Sequence, residues 1–337
     1  MATLPAPIVG ALQRMGLLRA SAIAPLAHRL TGGVSSDIWR VDLPCGPICV
    51  KRALERLRVA ADWQAPVERN LYEARWMAYA AAAAPGCVPA LLGSDPAAGA
   101  LAMEYLDPAE FPLWKSQLRE GRTDAGFAAA VGATLARIHA ASAADPSVAA
   151  AFPADAIFHA IRLEPYLLAA ARAHPDLARE LEALVATTAG THRALVHGDV
   201  SPKNILGGPR GPVFLDAECA CWGDPAFDLA FCLNHLLLKC LWVPSSRTGF
   251  LGCFDALATA YLAGVNWEPP AATEARAARL LAGLMLARVD GKSPVEYITA
   301  EGQRDQVRRV ARRLLTAPPD RLAAVRAMWM DVLARED

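Results

Sequence analysis

Apolar and polar residues alternate along DIWRVDL, Asp37–Leu43, and again in the short run ICVK, Ile48–Lys51. A period of two marks a half-buried strand, and the PCGP turn between the runs predicts a hairpin. A Gly-Gly-containing loop, Thr31–Ser36, leads into it. Residues 66–84, PVERNLYEARWMAYAAAAA, predict a helix. Pro66 suits a first helical position, Ala, Leu, Met and Glu favour the rest, and Pro85-Gly86 ends it. VPALLG and ALAMEYL, on either side of Ser94-Asp95-Pro96, predict a second strand pair.

Beyond Asp107-Pro108 the pattern changes. Residues 124–142, 172–189, 226–240, 251–263 and much of 271–335 are Ala/Leu-rich and predict helices, while 141–156 reads as a loop. One stretch, Leu195–Asp216, keeps strand character in LVHGD…NIL…PVFLD. The pattern predicts an α+β chain of two lobes: a small β-rich lobe over residues 1–106, a hinge near 103–108, and a larger, mostly helical lobe over 107–337. No internal repeat is visible.

Composition narrows the function classes. At 54% hydrophobic and 20% charged, the 337-residue chain is globular and long enough for a large core. Lys+Arg and Asp+Glu both total 34. That balance disfavours broad nucleic-acid binding, which needs a basic face. The run Arg304, Arg308, Arg309, Arg312, Arg313 recurs at helical spacing and reads as a solvated helix face. Eight cysteines without paired CxxC blocks read as reduced, largely buried thiols; the lone Cys219-x-Cys221 is a weak metal signal. Arg14 and Arg19 interrupt the N-terminal apolar residues, so no signal peptide is expected. Leu229–Val243 carries Asn234, His235 and Lys239 and is too short and polar to span a bilayer. A cytoplasmic protein without a membrane partner is the expectation.

The candidate chemistry lies in LVHGDVSPKNIL, Leu195–Leu206. Asp199 and Asn204 have four residues between them, and Asp216 ends the apolar run PVFL. Phosphoryl transfer needs a carboxylate to orient and deprotonate a hydroxyl, oxygen ligands for Mg2+, and a cation on the phosphates. Asp199, then Asn204 and Asp216, fit the first two needs. Lys51, at the end of a strand just after the Gly-Gly loop, fits the third. Gly32, Gly33, Ser35 and Ser36 would offer backbone N–H groups and hydroxyls to the phosphates. An acidic partner is needed to hold Lys51 extended; Glu73 is the first choice and Glu68 the second, because sequence alone leaves the rotation of the helix open.

These residues carry a resemblance. HGDVSPKN, then FLDAE, then GDPAFDLA is similar to the aminoglycoside phosphotransferase and choline kinase-like family, from Gly32 to about Lys239. The resemblance implies a bilobal protein-kinase-like fold, with ATP between the lobes, Mg2+ as cofactor and a small-molecule hydroxyl acceptor held by the helical lobe. It maps the catalytic carboxylate onto Asp199, the metal ligands onto Asn204 and Asp216, and the phosphate lysine onto Lys51. The adenine-facing hinge falls at Met103, Glu104, Tyr105 and Leu106. Glu218 is expected to support the metal directly or through water. Gly198 before Asp199 and Asp216-Ala217-Glu218 depart from protein kinases.

Six further residues are read against plainer roles. His197 is expected to brace the loop, and Asp228 to accept its backbone N–H groups. Asp224 reads as a helix N-cap. Lys203 either reaches the transferred phosphate or is solvated. In ARVDGKSPVEY, Ala287–Tyr297, Arg288 and Asp290 either contact the acceptor or belong to a helix–helix turn closed by Gly291 and Pro294. The leading expectation is an ATP-dependent small-molecule kinase; GTP remains open as donor. A catalytically inactive nucleotide-binding relative is the alternative, and a protein kinase a weaker one.

Overall fold

A computed structural model describes residues 3–19, 25–30, 36–54, 66 and 68–334. Gly32, Gly33 and Ser35 lie outside the described residues.

The chain opens with helix α1, Ala6–Arg14, not anticipated from the sequence. Strands β1 (Leu26–Arg29), β2 (Ser36–Leu43) and β3 (Gly46–Ala53) follow, then helix α2 (Arg69–Ala83) and strands β4 (Leu91–Asp95) and β5 (Ala100–Glu104). The five strands form one antiparallel sheet in the order β1-β2-β3-β5-β4. The β2–β3 register pairs Leu43 with Gly46, so the predicted turn is two residues, Pro44-Cys45. Strand parity then sorts the side chains. Trp39, Val41, Ile48 and Val50 join Ile8 and Leu12 of α1 in a core of their own. Lys51, one residue beyond Val50, has the opposite parity and is directed to the other face of the sheet.

The larger lobe is built from helices. They are α3 (Trp114–Arg119), α4 (Ala125–Ala143), α5 (Pro146–Ala151), α6 (Asp155–Phe158), a run of π turns over His159–Leu168, α7 (Ala169–Ala173) and α8 (Ala178–Gly190). Three short strands, β6 (Ala194–Val196), β7 (Ile205–Gly208) and β8 (Gly211–Phe214), precede β9 (Cys221–Gly223). Helices α9 (Ala226–Trp242), α10 (Arg247–Ala263), α11 (Pro270–Asp290), α12 (Glu301–Thr316) and α13 (Leu322–Leu333) complete it. Helix α9 is buried at every residue from Ala226 to Leu241 and forms the centre of the main core. Helices α4 and α10 approach so closely that a Cβ on Gly132 would lie 2.3 Å from the Leu257 carbonyl oxygen.

Two expectations are corrected here. The 141–156 segment is not one loop: α4 runs to Ala143, and Asp145 caps α5 through the Ser147 N–H at 3.0 Å, with Pro146 at its first turn. The helix expected over 172–189 is split, because Pro175 lacks the N–H needed to continue it.

Candidate active site

The connection from β6, paired with β9, to β7, paired with β8, is a loop over residues 197–204 that is fixed from below. Asp228, in the first turn of α9, accepts the backbone N–H of His197 at 2.7 Å and of Gly198 at 2.8 Å. His139 and Tyr261, bonded to each other at 2.8 Å, extend this support, with His139 Nε2 3.2 Å from Asp228. His197 spans to the next strand connection: Nε2 bonds the Leu215 carbonyl at 3.1 Å, and Nδ1 accepts the Asp199 N–H at 3.1 Å. Its ring meets Trp76 edge-on at 4.6 Å. Gly198 has φ +79°, and a Cβ there would sit 2.7 Å from the Cys219 Cβ. A residue with a side chain therefore does not fit at this step of the loop.

Asp199 is buried, and its two carboxylate oxygens differ. Oδ2 lies 2.9 Å from Arg162 Nη2 and 3.1 Å from Lys203 Nζ. Oδ1 is buried without a hydrogen-bond partner among the described residues. Arg162 is locked in turn: Nη1 donates to the Ile161 carbonyl at 2.6 Å and Nε to the Gly198 carbonyl. Asn204 Nδ2 donates to the Asp199 carbonyl at 3.1 Å, so its other side-chain atom, Oδ1, is the one that could serve a ligand.

Across the cleft, Lys51 Nζ lies 2.8 Å from Glu73 and also contacts Asp216. Of the two acids considered for Lys51, Glu73 is the one in contact. Asp216 follows β8 with φ +67°, an uncommon conformation for a residue with a side chain. Arg69, four residues before Glu73 and so on the same face of α2, bonds Glu218 at 3.0 Å. One helix thus ties the sheet lysine and the Asp216 segment together. Ser36 begins β2 with a buried hydroxyl that has no partner among the described residues.

Electrostatics follow from these pairs. Burial disfavours charge on Lys51, but Asp216 and Glu73 outweigh it and raise its pKa. Burial would raise Asp216; Lys51 and Lys203 reverse this and hold its carboxyl well below the usual range. Glu73, buried and close to Asp216, is raised to about 7 despite Lys51. Burial keeps His197 below its ordinary value and favours the neutral ring that its two hydrogen bonds require.

Asn204 and Asp216 supply an amide and a carboxylate oxygen. No group of three or more His, Cys, Asp or Glu able to hold a metal occurs among the described residues. Magnesium fits such a sparse hard-oxygen pair, because it takes its remaining ligands from phosphates and water. The Cys219 and Cys221 thiols are buried, and burial raises both above their ordinary range, against a thiolate metal site.

Of the residues expected at the hinge, Met103 is buried in β5, the Glu104 N–H is taken by Ala90 O at 2.9 Å, and Tyr105 lies under the Arg40 guanidinium at 4.8 Å. The N-cap of α9 is Pro225, not Asp224; Asp224, one residue earlier, accepts the Ala226 N–H at 3.0 Å and bonds Arg276 at 2.9 Å. Asp290 ends α11 in bonds to Arg308 at 2.7 Å and His174 at 2.8 Å. Arg288 instead reaches the Tyr166 hydroxyl at 3.2 Å. Sequence reasoning missed Arg162, Arg69 and His139. The available signal for Arg162 was Pro165 inside a helical stretch, which coincides with the π turns.

The chain matches the phosphotransferase enzyme family over residues 27–242. No curated protein matches it. Among solved structures it is similar to a choline/ethanolamine kinase family protein from Mesorhizobium loti, at 18% identity and TM-score 0.54, covering 94% of this chain and 98% of that one. A putative fructosamine-3-kinase from Thermobifida fusca is similar at 22% identity and TM-score 0.51, covering 89% and 98%. The amicoumacin kinase hAmiN, solved with AMP-PNP, Ca2+ and Ami, is similar at 12% identity and TM-score 0.52, covering 88% and 90%. At such identities the likeness is one of fold: a small antiparallel sheet above a helical body, in the kinase-like arrangement. With the family match spanning more than half of its length, the chain belongs to the phosphotransferase enzyme family.

Proposed function

We propose that the protein transfers the γ-phosphoryl group of ATP to a hydroxyl of a small molecule, with Mg2+. The observation that carries this reading is the asymmetry of Asp199. Oδ2 is fixed by Arg162 and Lys203, while Oδ1 is buried and unpartnered. A buried carboxylate oxygen without a donor is costly unless a ligand supplies one. An acceptor hydroxyl does so: it donates to Oδ1, is aimed by that bond, and gives up its proton there as its oxygen bonds to phosphorus.

Lys51, held extended by Glu73, exchanges its Asp216 contact for phosphate oxygens and steadies the charge that passes to the ADP leaving group. Asn204 and Asp216 would hold the metal, which supplies further neutralisation of phosphate charge when bound. Lys203, beside Asp199, is placed to meet the transferred group. The AMP-PNP in the amicoumacin kinase structure supports a nucleoside triphosphate as donor.

ADP formation from ATP and Mg2+ across a panel of hydroxylated small molecules tests this reading. The expected result is acceptor-dependent turnover that falls roughly 10²–10⁴-fold in Asp199→Asn, with the fold intact. Equal turnover of a confirmed acceptor by both proteins contradicts the role of Asp199. ATP binding without transfer to any acceptor favours an inactive nucleotide-binding protein.

A further inference from the structure

Polar side chains on a helix buried all round need partners. On α9, Asp228 has them in the catalytic loop, but residues farther along do not. Phe231, His235 and Lys239 follow one another at four-residue steps and so share one face. Phe231 lies 5.8 Å from the guanidinium of Arg162, the residue that holds Asp199. The His235 ring is 5.4 Å from Phe231, with Nδ1 3.5 Å from the Tyr297 hydroxyl and a buried, unpartnered Nε2 among the described residues. Both amide atoms of the adjacent Asn234 are likewise unpartnered. The Lys239 ammonium rests on the rings of Trp242 at 4.7 Å and Tyr297 at 4.6 Å, with no ion-pair partner among the described residues.

Arg288 enters the same cluster from α11. Its guanidinium is 5.4 Å from the Tyr166 ring, which Arg162 also approaches at 5.9 Å. Its partners are the Tyr166 hydroxyl and Ser293, all uncharged, and its Nε is buried without one. Glu296 is already paired with Lys115. Burial, then the positive charges of Arg288, Lys239, Lys203 and Lys115, hold His235 well below its ordinary range. Cations and hydrogen-bond donors thus converge beside the Asp199 loop, and the carboxylate that acts on Lys239, Glu296, is already shared with Lys115. A buried cation left unpaired is unfavourable, and an entering anion removes the imbalance.

We propose that the acceptor carries an anionic group, carboxylate or phosphate, beside the hydroxyl presented to Asp199, and that Arg288, Lys239 and His235 receive that group. The proposal rests on the reading of Asp199 as the acceptor-facing carboxylate. Phe231 stands between His235 and Arg162, the residue that holds Asp199, so the anion-receiving groups lie one ring beyond the support of Asp199. Polycations and quaternary ammonium alcohols meet like charge at this end of the site.

The test measures binding by calorimetry and ADP formation in parallel. One panel holds hydroxycarboxylates and sugar phosphates; the other holds amino alcohols and aminoglycosides. The expected result is that anionic compounds bind and are phosphorylated and cationic ones are not, with the better anionic subset telling carboxylate from phosphate. Arg288→Gln and Lys239→Met each weaken binding and raise KM about 10–100-fold, with kcat changed far less. Lys239→Met fits the aromatic surroundings and serves as the variant that keeps the fold. Asp199→Asn loses turnover yet still binds. Preferential binding of cationic compounds, unaltered KM in both variants, or no binding by any anionic compound overturns the proposal. Anion binding without ADP formation leaves the anion site standing and overturns the phosphotransfer reading.

Discussion

Two buried lysines meet opposite surroundings. Lys51 is 4% exposed and Lys239 1%, so desolvation acts on both. Lys51 lies against two carboxylates, Glu73 and Asp216, and its proton is held more tightly than in water. Lys239 rests on the Trp242 and Tyr297 rings with no ion-pair partner among the described residues, and burial followed by Lys115 pushes it down to about 7. The difference is one of charge balance rather than depth. Lys51 is neutralised by the protein's own carboxylates, whereas Lys239 and Arg288 have no ion-pair partner among the described residues. A residue that weakens the fold while unoccupied is the pattern of a site tuned for binding over stability.

The largest expected effect is at Lys51. Lys51→Met leaves Glu73 and Asp216 facing each other without a cation, and breaking such a buried pair costs about 3–5 kcal/mol. The midpoint of thermal unfolding should drop by roughly 10 °C, and phosphotransfer should vanish. Lys239→Met should do the opposite and raise the midpoint by about 5 °C at neutral pH, because an unpaired buried cation is removed. Calorimetric scans of the two variants beside the wild type decide whether the contrast holds; destabilisation of similar size in both would break it.

A smaller effect lies in the pH dependence of the Lys239→Met gain. The groups acting on Lys239 are Lys115 from α3, Glu296 and Tyr297 beside it, Arg288 from α11, and Cys232 and His235 on its own helix. Its pKa falls from 10.5 when unfolded to about 7 when folded. Between those values the unfolded chain binds the proton and the folded chain does not, so wild-type stability rises with pH. The advantage of Lys239→Met should therefore be full below pH 7, shrink between 7 and 10.5, and be gone above. Denaturant unfolding of both proteins through that window reads it out, and a constant gap would count against the shifted lysine.

What the sequence reveals follows the range of each interaction. Alternation in DIWRVDL and ICVK is local, so the hairpin and the opposite parity of Val50 and Lys51 are legible. The Asp199–Asn204 spacing and the strand before Asp216 are local too, and the structure brings all three together with Lys51. The choice between Glu73 and Glu68 is not local, because the packing of Trp76 and Met77 against the main core sets the rotation of α2. Arg162 reaches Asp199 across 36 intervening steps to Gly198, and Arg69 reaches Glu218 across 149. No short motif encodes either contact. The helices at Ala6 and Pro146 were missed because each is under three turns long and leaves little periodicity to detect.

The contrast between the two lysines is tested most directly by NMR titration of side-chain-labelled lysine, with Lys239→Met used to assign the resonance. The account predicts that Lys239 titrates near 7 in the free protein, that an anionic acceptor moves its titration upward, and that Lys51 stays protonated throughout. A Lys239 resonance that titrates near the ordinary lysine value of 10.5, unmoved by any anion, would contradict it.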